Sequence, residues 1–124
     1  MYVPFYLKRE ASYLANIFYD SELKLESVVD DKVTRKVKAH DKDLMMVELF
    51  FVKDAVAPLH SHEAHEQATY CLEGEFEFIL GNEKVTVKAG DSLYIPKGVA
   101  HSASVKSDKG RLLDVFNPQR DDFL

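Results

Sequence analysis

The chain has 124 residues and a mass of 14.2 kDa, the size of one ordinary domain, so a single-domain protein without a separate regulatory or nucleic-acid-reading module is expected. Hydrophobic residues make up 46% and charged residues 30%, a balance that excludes the disordered class and lets folding bury roughly two thirds of the unfolded surface. Sixteen Lys and Arg against 21 Asp and Glu give a net charge of -5, so no basic footprint is available for nucleic acid or an anionic membrane surface.

The first 20 residues hold six of the 14 Tyr and Phe residues: Tyr2, Phe5, Tyr6, Tyr13, Phe18 and Tyr19. Such aromatic density calls for burial, either as a segment lying over the outside of the domain or as a subunit interface, where Tyr and Phe are enriched. Residues 1–22 are therefore read as an N-terminal extension and residues 23–124 as the folded domain. Periodicity does not choose between a short helix and a strand around Ala11 to Tyr19.

From about Leu23 the apolar pattern has period two and is broken by turn residues, the pattern of a sandwich or barrel of short antiparallel strands. Alternation or apolar enrichment marks Leu23–Val29, Val33–Val37, Leu44–Val52, Thr69–Leu72, Leu93–Ile95 and Leu112–Phe116. Phe76, Phe78 and Leu80 share one strand face, Gly81-Asn82 makes a turn, and Val85 and Val87 share a face of the return strand. About nine strands fit the pattern, so the fold class is all-β.

The apolar run Leu44–Val52 contains Glu48 and falls far short of the roughly 20 residues of a spanning helix. With no basic-then-apolar leader and one cysteine, Cys71, the expectation is a cytoplasmic protein that does not engage the membrane. Cys71 shares a strand face with Thr69 and is read as a small inward packing residue.

Histidines carry the strongest chemical signal. In His60-Ser61-His62 the paired imidazoles project to the same side of an extended chain, which suits a metal ion. Gln67 follows with an amide oxygen, and a Pro96-Lys97-Gly98 turn delivers His101 onto a later strand. Three neutral imidazoles and one oxygen would hold zinc, nickel, iron, cobalt or manganese with positions left open. His40, in the polar His40-Asp41-Lys42-Asp43 stretch, and His65 are read as solvated or hydrogen-bonded side chains.

Near the C-terminus Asp114 and Phe116 share one strand face, Pro118 ends the strand, and Arg120 folds back towards the same mouth. The spacing alone also fits an edge charge and a solvated tail residue.

These motifs resemble the cupins. His60, His62, Gln67 and Gly74 match the latter part of their first motif, with Gln in place of Glu and no Gly ahead of His60. Gly90, Pro96, Gly98 and His101 match the second motif, in which Val105 replaces an Asn. The resemblance implies a single-domain double-stranded β-helix, a jelly-roll barrel that is often a homodimer. Substituting Gln67 for a carboxylate leaves a divalent ion its full charge, which favours an anionic ligand. It also argues against the two-histidine, one-carboxylate iron oxygenases.

Within the cupins, the run from Leu112 to Leu124 together with the first motif is similar to the KdgF pectin-degradation proteins, over roughly residues 33 to 124. That resemblance implies metal ligation by His60, His62, Gln67 and His101. It assigns a functional set to Asp114, Phe116 and Arg120, and it implies opening of 4,5-unsaturated monouronates to linear 5-keto-4-deoxyuronate. A three-histidine oxygenase, a lyase, or a non-catalytic sugar-acid binder are the alternatives on the same scaffold.

Overall fold

A computed structural model describes residues 12–124, which form ten strands and three short 3-10 turns. The strands are β1 (Glu26–Val29), β2 (Val33–Asp41), β3 (Leu44–Val52), β4 (Val56–His60), β5 (Glu66–Glu73), β6 (Glu75–Leu80), β7 (Glu83–Lys88), β8 (Ser92–Ile95), β9 (His101–Val105) and β10 (Lys109–Asn117). One sheet runs β1-β2-β3-β10-β5-β8 and the other β4-β9-β6-β7, all pairs antiparallel. The all-β jelly-roll expectation holds. Among the described residues no helix is long and apolar enough to cross a membrane.

Alternation does the packing. In β6 and β7, Phe76, Phe78 and Val87 turn inward and are at most 5% exposed, joining Val33, Phe51, Cys71, Val105 and Leu112 in the main core. A smaller cluster of Met45, Val47 and Phe116, backed by Leu49 and Phe123, fills the other end. Cys71 and Thr69 are both fully buried on the inner face of β5, as their spacing suggested, and burial raises the Cys71 thiol above its ordinary pKa.

The boundaries differ from the sequence pattern in three places. β4 carries too few bulky apolar residues to show alternation and contains Pro58, which an edge strand tolerates because it has a free ladder side. Leu23 and Leu25 lie outside any strand, and Leu25 is exposed. His40 lies within β2 rather than in the turn that follows it.

Tyr2, Phe5 and Tyr6 lie outside the described residues. In the rest of the N-terminal segment the chain makes 3-10 turns at Leu14–Asn16 and Asp20–Glu22, not a longer helix or a strand. Phe18 packs against His40, with ring centroids 5.1 Å apart, while Tyr13 and Tyr19 are exposed. Packing over the domain therefore accounts for one of these three aromatics.

Gly110 lies where β10 crosses the core. A Cβ there would come 2.5 Å from Phe76 Cζ and 3.0 Å from Val105 Cγ2, both held in packed surroundings. Gly110→Ala is expected to cost about 1–3 kcal/mol through overpacking, read as a lower urea midpoint at unchanged m-value.

Glu48, on β3, accepts from Lys38 Nζ at 2.9 Å and Arg111 Nη1 at 2.7 Å. Burial raises its carboxyl pKa, but the two cations outweigh that and hold it below the ordinary value of 4.5. A depressed folded-state pKa contributes stability that is present above 4.5 and lost as pH falls through the folded value. Glu48→Gln should thus cost about 1–2 kcal/mol at neutral pH, discounted for the partly exposed cations. Paired melting curves should show that gap closing in acid.

Candidate metal centre and its cavity

The three histidines converge because two strands of the smaller sheet end together. His60 closes β4, His101 opens β9, and the two are register partners; His62 follows in the next loop. The Pro96–Gly98 turn holds that loop, since the Gly98 N–H donates to the His62 carbonyl at 2.9 Å. Gly98 has φ of +79°, and a Cβ there would meet the Glu63 carboxylate at 3.0 Å, so the turn suits glycine.

Each ring is oriented by a main-chain carbonyl. Nδ1–H of His60 donates to Pro58 O at 2.9 Å, that of His62 to His65 O at 3.1 Å, and that of His101 to Val99 O at 2.9 Å. Carbonyls only accept, so all three protons reside on Nδ1 and the Nε2 lone pairs remain available. The potential ligand atoms lie within 4.8 Å of one another. Burial, aided by the neighbouring histidines and Arg120, lowers the His101 pKa to about 4, and burial also lowers that of His62. Both are therefore neutral near pH 7, the state that ligates metal.

Gln67 comes from the opposite sheet, buried on β5 beside Phe116 of β10. Its Nε2 donates to Thr69 Oγ1 at 2.9 Å, and Thr69 Oγ1 donates to Asp114 Oδ1 at 2.7 Å. Thr69 has one hydroxyl proton; giving it to a carboxylate obliges Thr69 to accept from Gln67, which turns Gln67 Oε1 towards the histidines. That oxygen lies 3.0 Å from His62 Nε2, two lone-pair atoms facing each other with no proton between them. Among the described residues the buried His101 Nε2 has no hydrogen-bond partner. An orphaned nitrogen and an unprotonated nitrogen–oxygen pair are what a bound cation would satisfy, so the residues fit a divalent metal.

The site opens into a cavity of about 270 Å³, at the small end of ligand pockets. His60, His101, Gln67, Asp114, Phe116 and Arg120 all line it. Burial raises the Asp114 pKa to about 6, against the Thr69 hydrogen bond and the Arg120 charge. The carboxylate is thus ionised near neutrality yet much closer to protonation than an ordinary Asp. Phe116 is buried, its ring centroid 5.7 Å from that of His62. Arg120 does fold back across the mouth, with its guanidinium 5.1 Å from the Phe116 centroid and 4.3 Å from that of Phe123. Its Nε and Nη2 are, however, engaged by Asp122 at 3.0 and 2.8 Å.

His40 and His65 stay out of the cluster. His40 Nδ1 bonds to the Gln119 side-chain oxygen at 2.9 Å and His65 Nε2 donates to the Gln119 carbonyl at 3.1 Å, so both anchor the C-terminal tail. Among the cavity and relay residues that escaped the sequence reading as site residues are Thr69, Arg35 and Phe123. The first two had a signal. Thr69 lies two positions from Gln67 on one strand face, and Arg35 interrupts the inward series Val33, Arg35, Val37. Phe123 lies in a 3-10 turn, where no periodicity points it anywhere.

A family model for the cupin domain matches residues 46–116. The pectin degradation protein KdgF of Dickeya dadantii (strain 3937) is 36% identical over 107 residues, covering 86% of this chain and 96% of that protein. A solved structure of KdgF from Halomonas sp. has 35% identity and a TM-score of 0.81, covering 87% of this chain and 97% of the other. An RmlC-like cupin from Shewanella frigidimarina NCIMB 400 has 30% identity and a TM-score of 0.81, covering 87% and 95%. With both sheets, the histidine cluster and near full-length similarity in agreement, this chain belongs to the cupin family, in the group that includes KdgF.

Proposed function

We propose that this cupin is a metal-dependent isomerase that opens the ring of 4,5-unsaturated monouronates. The observation that carries the reading is the relay from Gln67 through Thr69 to Asp114, which couples a carboxylate in the cavity to the candidate metal centre. Similarity to KdgF, named for pectin degradation, supports the substrate class.

In such a substrate the ring oxygen is attached to a carbon–carbon double bond, and the anomeric carbon carries a hydroxyl. Asp114 takes the hydroxyl proton, the anomeric carbon becomes an aldehyde, and the bond to the ring oxygen breaks with its electron pair retained as an enolate. Returning that proton to the enolate carbon yields the linear 5-keto-4-deoxyuronate, so atoms and charge balance without an oxidant. A pKa of about 6 suits a group that both accepts and returns a proton. His60, His62, Gln67 and His101 would hold a divalent ion, which would supply Lewis-acid stabilisation of negative charge on oxygen. Phe116 offers a flat apolar wall to the sugar ring, and Arg120, paired with Asp122, lies over it at the mouth. The cavity volume suits a single sugar unit.

A homodimer and a cytoplasmic location belong to the same proposal. Exposed Tyr13, Leu14, Ile17 and Tyr19 support the first, and a lone buried cysteine is compatible with the second.

The decisive assay follows the ultraviolet absorbance of the conjugated double bond, using unsaturated galacturonate and the alginate-derived monouronate without oxygen and with zinc-loaded protein. Loss of absorbance with aldehyde formation is expected; intact substrate, or turnover that consumes oxygen, defeats the reading. Asp114→Asn should retain metal and lose activity by roughly a hundredfold or more. Elemental analysis of His101→Ala should find substoichiometric metal, and full occupancy in that variant would remove His101 from the ligand set.

A further inference from the structure

We infer that Arg35, rather than Arg120, is the residue that binds the substrate carboxylate; the inference rests on the uronate reading above. Arg35 lies on β2 between Val33, which is fully buried, and Val37, so it faces the barrel interior, where it lines the same cavity as His60, Gln67 and Asp114. Its neighbours in the cavity wall include Val28, Val47, Leu49 and Phe51. Only 18% of its side chain is exposed.

A cation in such surroundings needs a partner, and the one on hand is poor. Buried Arg35 Nε has no hydrogen-bond partner among the described residues; it forms an ion pair with Glu26 Oε1 at 3.5 Å, too long for a strong charged hydrogen bond. Arg120 is in the opposite situation, with two guanidinium nitrogens already bonded to Asp122. Both guanidinium groups stack on Phe123, at 3.8 Å for Arg35 and 4.3 Å for Arg120. Phe123 thus fixes the plane of Arg35, whose terminal nitrogens can engage a carboxylate in bidentate fashion. The sugar acid supplies the hydrogen-bonding carboxylate that the longer ion pair with Glu26 does not. Arg35 then orients the ring by its carboxylate while Asp114, on β10, reaches the anomeric hydroxyl.

The test has a kinetic arm and a binding arm, each run on zinc-loaded wild type, Arg35→Gln, Arg35→Lys and Arg120→Gln, with thermal midpoint and metal content as folding controls. With unsaturated galacturonate, Arg35→Gln should raise KM by roughly tenfold to a hundredfold, the worth of a charged bidentate contact, with a smaller change in kcat. Arg35→Lys, which keeps the charge but not the planar fork, should fall between wild type and Arg35→Gln. Calorimetry then compares galacturonate with galactose, which differ at the carboxylate. Wild type should prefer galacturonate, and Arg35→Gln should lose most of that preference. Arg35 is overturned as the anchor if wild type binds the two sugars alike. It is also overturned if the preference survives in Arg35→Gln, or disappears only in Arg120→Gln or on metal removal. Failure of wild type to open unsaturated galacturonate counts against the isomerase reading alone, since the binding arm judges Arg35 independently of turnover.

Discussion

The site depends on three main-chain carbonyls. By accepting the Nδ1 protons of His60, His62 and His101, the carbonyls of Pro58, His65 and Val99 fix both the tautomer and the ring plane of each imidazole. The Nε2 lone pairs then face one another without protons. Fixing the rings matters because a ring free to rotate or to move its proton would not keep its lone pair on the shared point. The backbone conformations around Pro58 and Gly98 are therefore part of the site as much as the histidines are.

From that point the polar network extends in one direction across the barrel. Gln67 stands on the larger sheet and faces the histidines of the smaller one, so the centre bridges the two layers. The amide at position 67 also has a consequence that a carboxylate would not. An amide nitrogen donates to Thr69, and the Thr69 proton is thereby directed to Asp114. An ionised Glu there would compete with Asp114 for that single proton. Gln67 would thus leave a bound cation its full charge, and it orders the relay behind it.

Around this network the cavity is mostly apolar, walled by strands from both sheets and capped by Phe116 and Phe123. Charges in such a cavity are expensive unless matched, and that cost distinguishes the two arginines. Arg120 is matched by Asp122 within its own turn, whereas Arg35 has a longer ion pair, 3.5 Å, with Glu26. The division supports the proposal that Arg35 receives an incoming anion.

The sequence alone determined the layer of information that is local and periodic. Period-two alternation placed Phe76, Phe78 and Val87 in the core and put Asp114 and Phe116 on one face; residue spacing singled out His60, His62, Gln67 and His101. It failed where periodicity is absent or a residue breaks it: β4 is masked by Pro58 and small side chains, and Phe123 lies in a turn. Tertiary structure alone decided that Arg120 is hydrogen-bonded to Asp122 while Arg35 makes a longer ion pair with Glu26, that Thr69 links Gln67 to Asp114, and that Gln119 takes up both His40 and His65. The physical reason is range. Alternation records which way a side chain points from its own strand, whereas hydrogen bonds and ion pairs between β2, β5, β10 and the tail depend on sheet order and register, which join residues far apart in the chain.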